Sequence, residues 1–259
     1  MRICPESIDK DVNKLRHWIR QLEPSPDLYQ YKDNYEPKGE IRRADYEKIR
    51  RALKLTRKSP TIIYIAGHTE LKDGAPVYIP ADHLDPSTTG SPKVIPYEYM
   101  AQLLLKQTHS AALLFVTEVC YCDNFLRLPY MLEYEGDEVR WKKTGHPELS
   151  AQPSTTVVHF AATAPGERSE SFKSRGAAFT TAFHNINPRE ELSLGDIGKR
   201  LQEGINRASG RDGIKKPIAQ HPKIYCSRIM DEPHFYKALD FYSPLETDSG
   251  VGGDSDSNA

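Results

Sequence analysis

No apolar run in this chain approaches the roughly 18 residues that a membrane-spanning helix needs, and the opening Met1-Arg2-Ile3-Cys4-Pro5-Glu6 has no apolar core of a secretory leader. Cysteine is scarce, at 4 in 259 residues, which excludes a disulfide scaffold and leaves reduced thiols as the expectation. Neither sign of charge dominates: 35 Lys and Arg face 36 Asp and Glu, so there is no electrostatic footprint for nucleic acid or for an anionic membrane surface. An internal repeat and a glycine-rich phosphate loop are also lacking. These absences predict a soluble, cytoplasmic protein with no nucleic-acid or membrane partner. They say nothing of its oligomeric state.

What is present is an alternation of strand-like and helix-like segments, in a chain long enough for one large α/β domain. Val12, Leu15, Trp18, Ile19 and Leu22 are spaced for one face of a helix over Asp11–Leu22, stopped by Pro24 and Pro26. A second helix is predicted over Ala44–Leu55. Its basic flank (Arg42, Arg43, Lys48, Arg50, Arg51) reads as a solvated face rather than a phosphate site. Thr61–Ile65 is a strand, and Asp73-Gly74 before Val77-Tyr78-Ile79 marks a hairpin turn. Tyr97–Gln107 reads as a helix, followed by the apolar run Ala111–Cys122, which suits a strand buried on both faces of a parallel sheet. Glu133–Pro153 is strongly polar and reads as an exposed linker loop. Arg140, Lys142 and Lys143 lie in it, and such a loop is expected to be open to proteolysis. Val157–Ala161 is a further strand, Gly176–Ile186 a helix, Ser193-Leu194-Gly195-Asp196 a capped start for a helix to about Ala208, and Lys223–Cys226 a last strand. Beyond residue 243, Asp, Ser and Gly dominate and disorder is expected. Helix-then-strand order implies crossover units and a mostly parallel sheet.

Two strands end in chemistry-bearing residues. Thr61-Ile62-Ile63-Tyr64-Ile65-Ala66-Gly67-His68 delivers an imidazole, and Ala111–Cys122 delivers Cys120 and Cys122. In a parallel sheet both strand ends share one edge, so His68 and Cys120 are predicted to meet there. A thiol attacks only as thiolate, and a neighbouring imidazole both takes its proton and later protonates the leaving group. His159, inside a strand, reads as a hydrogen-bonded structural histidine. His83, His109, His146, His184 and His221 have no evident partner, and Cys4 and Cys226 read as structural. A zinc site from Cys120-Tyr121-Cys122 with His68 is the weaker alternative, since a lone C-x-C lacks a second paired motif.

These segments resemble those of caspase-like cysteine peptidases, the metacaspases in particular. Ile63-Tyr64-Ile65-Ala66-Gly67-His68 is similar to that family's strand with Ser-Gly-His, and Thr117-Glu118-Val119-Cys120-Tyr121-Cys122-Asp123-Asn124-Phe125 to its Asp-x-Cys-His-Ser-Gly. Asp73-Gly74 with Ile79-Pro80-Ala81-Asp82, Phe160-Ala161-Ala162-Thr163 with Gly176 and Phe179-Thr180, and Gln220-His221-Pro222 follow in the family's order, over roughly Asp11 to Ser227. The resemblance implies a three-layer α/β/α sandwich with a mostly parallel central sheet. It implies one domain over 1–243: a large-subunit-like part to about 132, a linker about 133–155, a small-subunit-like part about 156–243, and a tail 244–259. It implies a cysteine endopeptidase acting on polypeptide, with Cys120 as nucleophile and His68 as general base and acid. Backbone N–H groups of Cys120 and Thr69 would hold the oxyanion, and Glu118 with Ala66 would line a pocket for a basic side chain. No cofactor is implied. Calcium dependence occurs in many metacaspases, but Asp82, Asp85 and Asp123 fix no ligand set.

The pattern departs from the family where Thr69 stands for glycine, where Tyr121-Cys122-Asp123 stand for His-Ser-Gly, and where a strand would precede the first helix. Those departures support the alternative expectation of a catalytically inactive homologue serving as a regulatory or interaction scaffold.

Overall fold

The structure is a computed structural model that describes residues 5–22, 27–32, 42–55, 57–84, 92–105, 110–122, 124–135, 138–147, 155–210 and 219–241. The expectations for Cys4, Asp85, His109, Asp123 and the tail beyond 243 lie outside the described residues. In chain order the elements are α1 (Pro5–Ile19), β1 (Tyr31–Lys32), β2 (Arg42–Arg43), α2 (Tyr46–Leu53), β3 (Thr61–Ala66), β4 (Thr69–Lys72), β5 (Ala75–Tyr78), β6 (Ile95–Pro96) and α3 (Tyr97–Leu105). They continue with β7 (Leu113–Glu118), β8 (Tyr130–Glu135), β9 (Glu138–Lys143), β10 (Val157–Ala161), β11 (Ser171–Phe172), β12 (Gly176–Ala177), α4 (Ala178–His184), α5 (Leu194–Gly210), β13 (Lys223–Cys226) and α6 (Phe235–Ala238).

Six strands make the central sheet, in the order β3-β7-β10-β13-β8-β9. β3, β7 and β10 run parallel, as the helix-then-strand order requires. From there the sheet turns antiparallel: β13 against β10, β8 against β13, and β9 against β8. The sheet is therefore mixed, with a parallel half that carries the strand ends of interest. β7 is buried at every position, which explains its unbroken apolar sequence: alternation is needed only where one face meets water.

Alternate residues of the central strands feed two cores. Leu114, Val116, Val158 and Phe160 pack with α1, α4, α5 and α6 through Leu15, Trp18, Phe179, Phe183, Leu201 and Phe235. Leu113, Phe115, Val157 and Tyr225 pack on the other side with Leu53 of α2 and Met100 and Leu104 of α3. Helices thus cover both faces, giving three layers. Trp18 fastens α1 by donating its indole N–H to the Ile186 carbonyl at 2.7 Å. The start of α5 is closed by the expected capping box, with Asp196 N donating to Ser193 Oγ and Ser193 N to Asp196 Oδ2, both at 3.1 Å.

Three expectations need correction. Glu133–Lys143 is not a loop: apart from residues 136 and 137, which are not described, it belongs to the β8–β9 hairpin, and Arg140 and Lys142 both face Glu133. The polarity that read as loop is that of a sheet edge, where charge discourages pairing with another chain. Backbone pairing of Arg140, Lys142 and Lys143 with β8 means that cutting there requires the hairpin to open. Helix limits also shift: α1 begins at Pro5 and ends at Ile19, and Gly176 opens a short strand before α4. Finally, several histidines do have partners. His83 Nδ1 is 2.6 Å from the Lys93 carbonyl, His184 Nδ1 3.4 Å from Asn185 Oδ1, and His221 Nδ1 2.5 Å from Glu167 Oε1.

Candidate functional site

β3 and β7 pair in parallel register down to Ala66 opposite Glu118. His68 and Cys120 each lie two residues beyond that last pair, so equal steps past the same register bring both to one edge of the sheet. Gly67 N reaches back to the Glu118 carbonyl at 3.4 Å, continuing the ladder one step. Thr69 Oγ1 then donates to the Cys120 carbonyl at 2.7 Å, and Tyr97 Oη donates to the same oxygen at 3.4 Å. Thr69 is buried, and its backbone is not left-handed, so threonine at this position carries no conformational penalty.

Among the described residues no strand pairs with the outer edge of β3. Its apolar positions are only half-buried, unlike those of β7. A groove of about 2170 Å³ follows this edge, walled by Leu15 and Ile19 of α1 on one face and Ile49 and Leu53 of α2 on the other. Ala66, His68, Thr69, Glu118 and Cys120 all line it. The five residues singled out in the sequence therefore share one concavity.

None of Cys120, Cys122 and Cys226 is in a disulfide; Cys120 is half-buried, whereas Cys122 and Cys226 are fully buried. His68 Nε2 lies 3.0 Å from Glu70 Oε1, which leaves Nδ1 as the ring nitrogen not engaged by that pair. Among the described residues no hydrogen bond joins His68 to Cys120. Glu70 was not foreseen, although His-x-Glu spacing at the start of an extended segment puts both side chains on one face.

Glu118 is almost fully buried, and its own chain satisfies it. Oε2 accepts from Thr180 N at 2.9 Å and Thr180 Oγ1 at 3.0 Å, and Oε1 accepts from Ser169 Oγ. Burial pushes its carboxyl up to about 7, against the pull of those hydrogen bonds. Asp11, in the same groove, is raised to about 6, also by burial, while taking the Ala177 N–H on both oxygens at 3.0 Å. Lys14, 3.9 Å from Asp11, is pulled down by burial.

Cys122 turns away from the groove. Its Sγ is 2.6 Å from Thr117 Oγ1, which is 2.9 Å from His159 Nε2, with Cys122 Sγ 3.9 Å from the same nitrogen. His159 is the structural histidine expected: burial among Phe115, Phe125 and Tyr225 pushes it down to about 3, so it is neutral. Its Nδ1 has no hydrogen-bond partner among the described residues. With Cys122 facing inward and Cys120 facing the groove, the C-x-C pair does not converge. Among the described residues no group of three or more His, Cys, Asp or Glu is placed to hold a metal ion. Basic residues beside α2 are paired with acids, Arg43 and Lys48 with Asp45 and Arg50 with Glu47, as a solvated face requires. No described helix is long and apolar enough to cross a membrane.

No family model matches the chain, and no curated protein does. Among solved structures, the crystal structure of protein GSU0716 from Geobacter sulfurreducens is similar over 73% of this chain and 75% of that one, with a TM-score of 0.41 and 13% identity. A likeness of that size assigns neither family nor activity.

Proposed function

We propose that the protein is a caspase-like cysteine endopeptidase in which Cys120 attacks and His68 moves the proton. One observation carries this reading: two parallel neighbours end in register, and one contributes a groove-facing thiol and the other an imidazole at the same step past the sheet edge. In this reading Glu70, 3.0 Å from His68 Nε2, is the orienting acid that a third group supplies in thiol and serine hydrolases, and Nδ1 is the nitrogen that takes the proton. In this reading His68 takes the Cys120 proton, and the thiolate attacks the scissile carbonyl. Backbone N–H groups of Cys120 and Thr69 hold the developing oxyanion, and the imidazolium then returns its proton to the leaving amine. Water, deprotonated by the same imidazole, cleaves the thioester.

The groove favours polypeptide as substrate. It exceeds the roughly 300–1,000 Å³ of ordinary small-molecule sites, and it follows a strand edge whose outer side carries no described partner. An extended peptide adds to such an edge through main-chain hydrogen bonds. Glu118, opposite Ala66 in the register of the two strands, favours a basic side chain next to the cut, whose charge would draw the raised carboxyl into its ionised form.

A second reading is a catalytically inactive scaffold on the same fold, and one observation favours it: Glu118 is occupied by Thr180 and Ser169 rather than open to a ligand. Labelling with a thiol-directed peptidyl ketone bearing a basic residue separates the two. The peptidase reading expects modification at Cys120 and neither Cys122 nor Cys226, lost in His68→Ala. Equal labelling of wild type and His68→Ala, or none at Cys120, supports the scaffold.

A further inference from the structure

Tyr121, the residue after the candidate nucleophile, has φ of +56°, a left-handed conformation that a bulky side chain seldom adopts. Strain of this kind persists only where the surroundings over-determine it, and it gathers at functional sites. The partner that over-determines it is Glu167, in the segment after β10. Tyr121 N donates to the Glu167 carbonyl at 2.9 Å, and the exposed Arg168 guanidinium is pushed up by the neighbouring Tyr121 hydroxyl. One residue of that loop thus holds Tyr121 by its backbone, with Arg168 beside it.

That loop is itself fastened from below. The Glu167 carboxylate takes the N–H groups of Ala164 at 3.0 Å and His221 at 2.8 Å, and its other oxygen meets His221 Nδ1 at 2.5 Å. The turn is tight, with Glu167 N returning to the Ala164 carbonyl at 3.1 Å and Gly166 at φ +78°. Gln220, fully buried, donates to the Ala162 carbonyl and accepts from Glu170 N, bracketing the loop on both sides. Thr163 Oγ1 holds the far side of the same turn by accepting from Cys122 N at 3.1 Å. The segment that follows β10 therefore clasps the chain on the C-terminal side of Cys120, and its lock is a Glu–His pair that makes no hydrogen bond to the thiol.

We propose that Glu167, locked by His221, is the positioning residue for Cys120: it aims its carbonyl at Tyr121 N–H and holds the left-handed turn that leaves the thiol lining the groove. The inference rests on reading Cys120 as the nucleophile, but the clasp itself can be measured independently. Glu167 and His221 touch neither thiol nor imidazole. They act through Tyr121. Burial raises the Glu167 carboxyl, but the His221 ring and the two N–H groups outweigh it and keep the group below its usual range, so it is charged at neutral pH.

The test uses Glu167→Ala, His221→Gln and the double variant Glu167→Ala/Tyr121→Gly, with peptide hydrolysis and amide hydrogen exchange as readouts. Glu167→Ala is expected to speed exchange of the Tyr121 amide about tenfold or more. It should lower kcat on a Lys- or Arg-containing peptide by roughly 10- to 100-fold with KM within about threefold, because misplacement rather than lost binding is the defect. Adding Tyr121→Gly is expected to restore kcat most of the way, since glycine adopts φ > 0 without the clasp. A merely structural role predicts no rescue. Unchanged exchange and kcat in Glu167→Ala, or a double variant no better than the single, overturns the proposal. If Glu167→Ala does not fold, His221→Gln carries the same expectations at about threefold to tenfold. If wild type hydrolyses no peptide, the peptidase reading fails, and exchange alone decides the clasp: faster Tyr121 exchange in the variants upholds it, and equal exchange overturns it.

Discussion

The hydroxyl of Thr69 donates a 2.7 Å hydrogen bond to the carbonyl oxygen of Cys120, so the residue after the histidine holds the backbone of the thiol across the two strand ends. Thr69→Val keeps the shape and removes the donor. Only the longer 3.4 Å bond from Tyr97 then remains on that oxygen. Loss of one buried hydrogen bond costs about 1–2 kcal/mol. Urea denaturation is expected to show a lower midpoint with unchanged slope. Peptide hydrolysis should fall more than stability alone explains, because the bond sets the spacing of the two strand ends.

Gly176 and Gly74 make a contrasting pair. Both have positive φ, +83° and +79°, but a Cβ at Gly176 would sit 2.0 Å from Asp11 Oδ1, whereas one at Gly74 meets nothing within 4 Å. Gly74→Ala in the hairpin turn is expected to cost about 1 kcal/mol from the left-handed backbone alone. Gly176→Ala adds expulsion of Asp11 from the Ala177 N–H, and a loss of roughly 3 kcal/mol or more is expected. Thermal or chemical denaturation of the two variants side by side checks the difference.

Much of this was legible in the residues. The unbroken run over Leu113–Glu118 announced a doubly covered strand, Asp73-Gly74 a hairpin, and Ser193 with Asp196 a helix start, because each is a local rule with a local cause. Placing His68 and Cys120 on one edge followed from parallel pairing alone. The β8–β9 hairpin was not legible, since a charged edge strand has the composition of a loop. Nor was the state of Glu118, which is set by Thr180 and Ser169, more than fifty residues away. Tyr121 is the sharpest case: nothing in Cys120-Tyr121-Cys122 signals a left-handed residue, because the force that imposes it comes from Glu167 in another segment.

Acid stability reports on three buried groups with opposing signs. Glu118 and Asp11 have raised folded values, about 7 from 4.5 and about 6 from 3.8, so their contribution is complete at low pH and is lost as pH rises through those values. His159 is the reverse: lowered from 6.5 to about 3, it favours the folded state above 6.5 and loses that contribution as pH falls toward 3. Glu118→Gln is therefore expected to gain stability relative to wild type as pH rises from about 4.5 to 7, by on the order of 2–3 kcal/mol, then level off. His159→Gln should flatten the loss of stability between pH 6.5 and 3. Denaturation midpoints at half-unit pH steps check both.

Glu70 bears on the imidazole alone. Glu70→Gln retains an acceptor for His68 Nε2 but removes the charge that stabilises an imidazolium. A fall in kcat of roughly tenfold, with KM unchanged, is expected, and Glu70→Ala should fall further. The pair is exposed, so stability should move by less than about 0.5 kcal/mol in either variant. Steady-state kinetics beside a melting curve check the split.

The most direct measurement is hydrolysis of a peptide carrying Arg or Lys by wild type, Cys120→Ala, His68→Ala and Cys122→Ala, each confirmed folded by circular dichroism. A Cys120–His68 pair predicts cleavage after the basic residue by wild type, and loss of it in the first two variants. Cys122→Ala, which removes only the inward-facing thiol, should still cleave. Cleavage by Cys120→Ala at the wild-type rate, or no cleavage by any of the four, would contradict it.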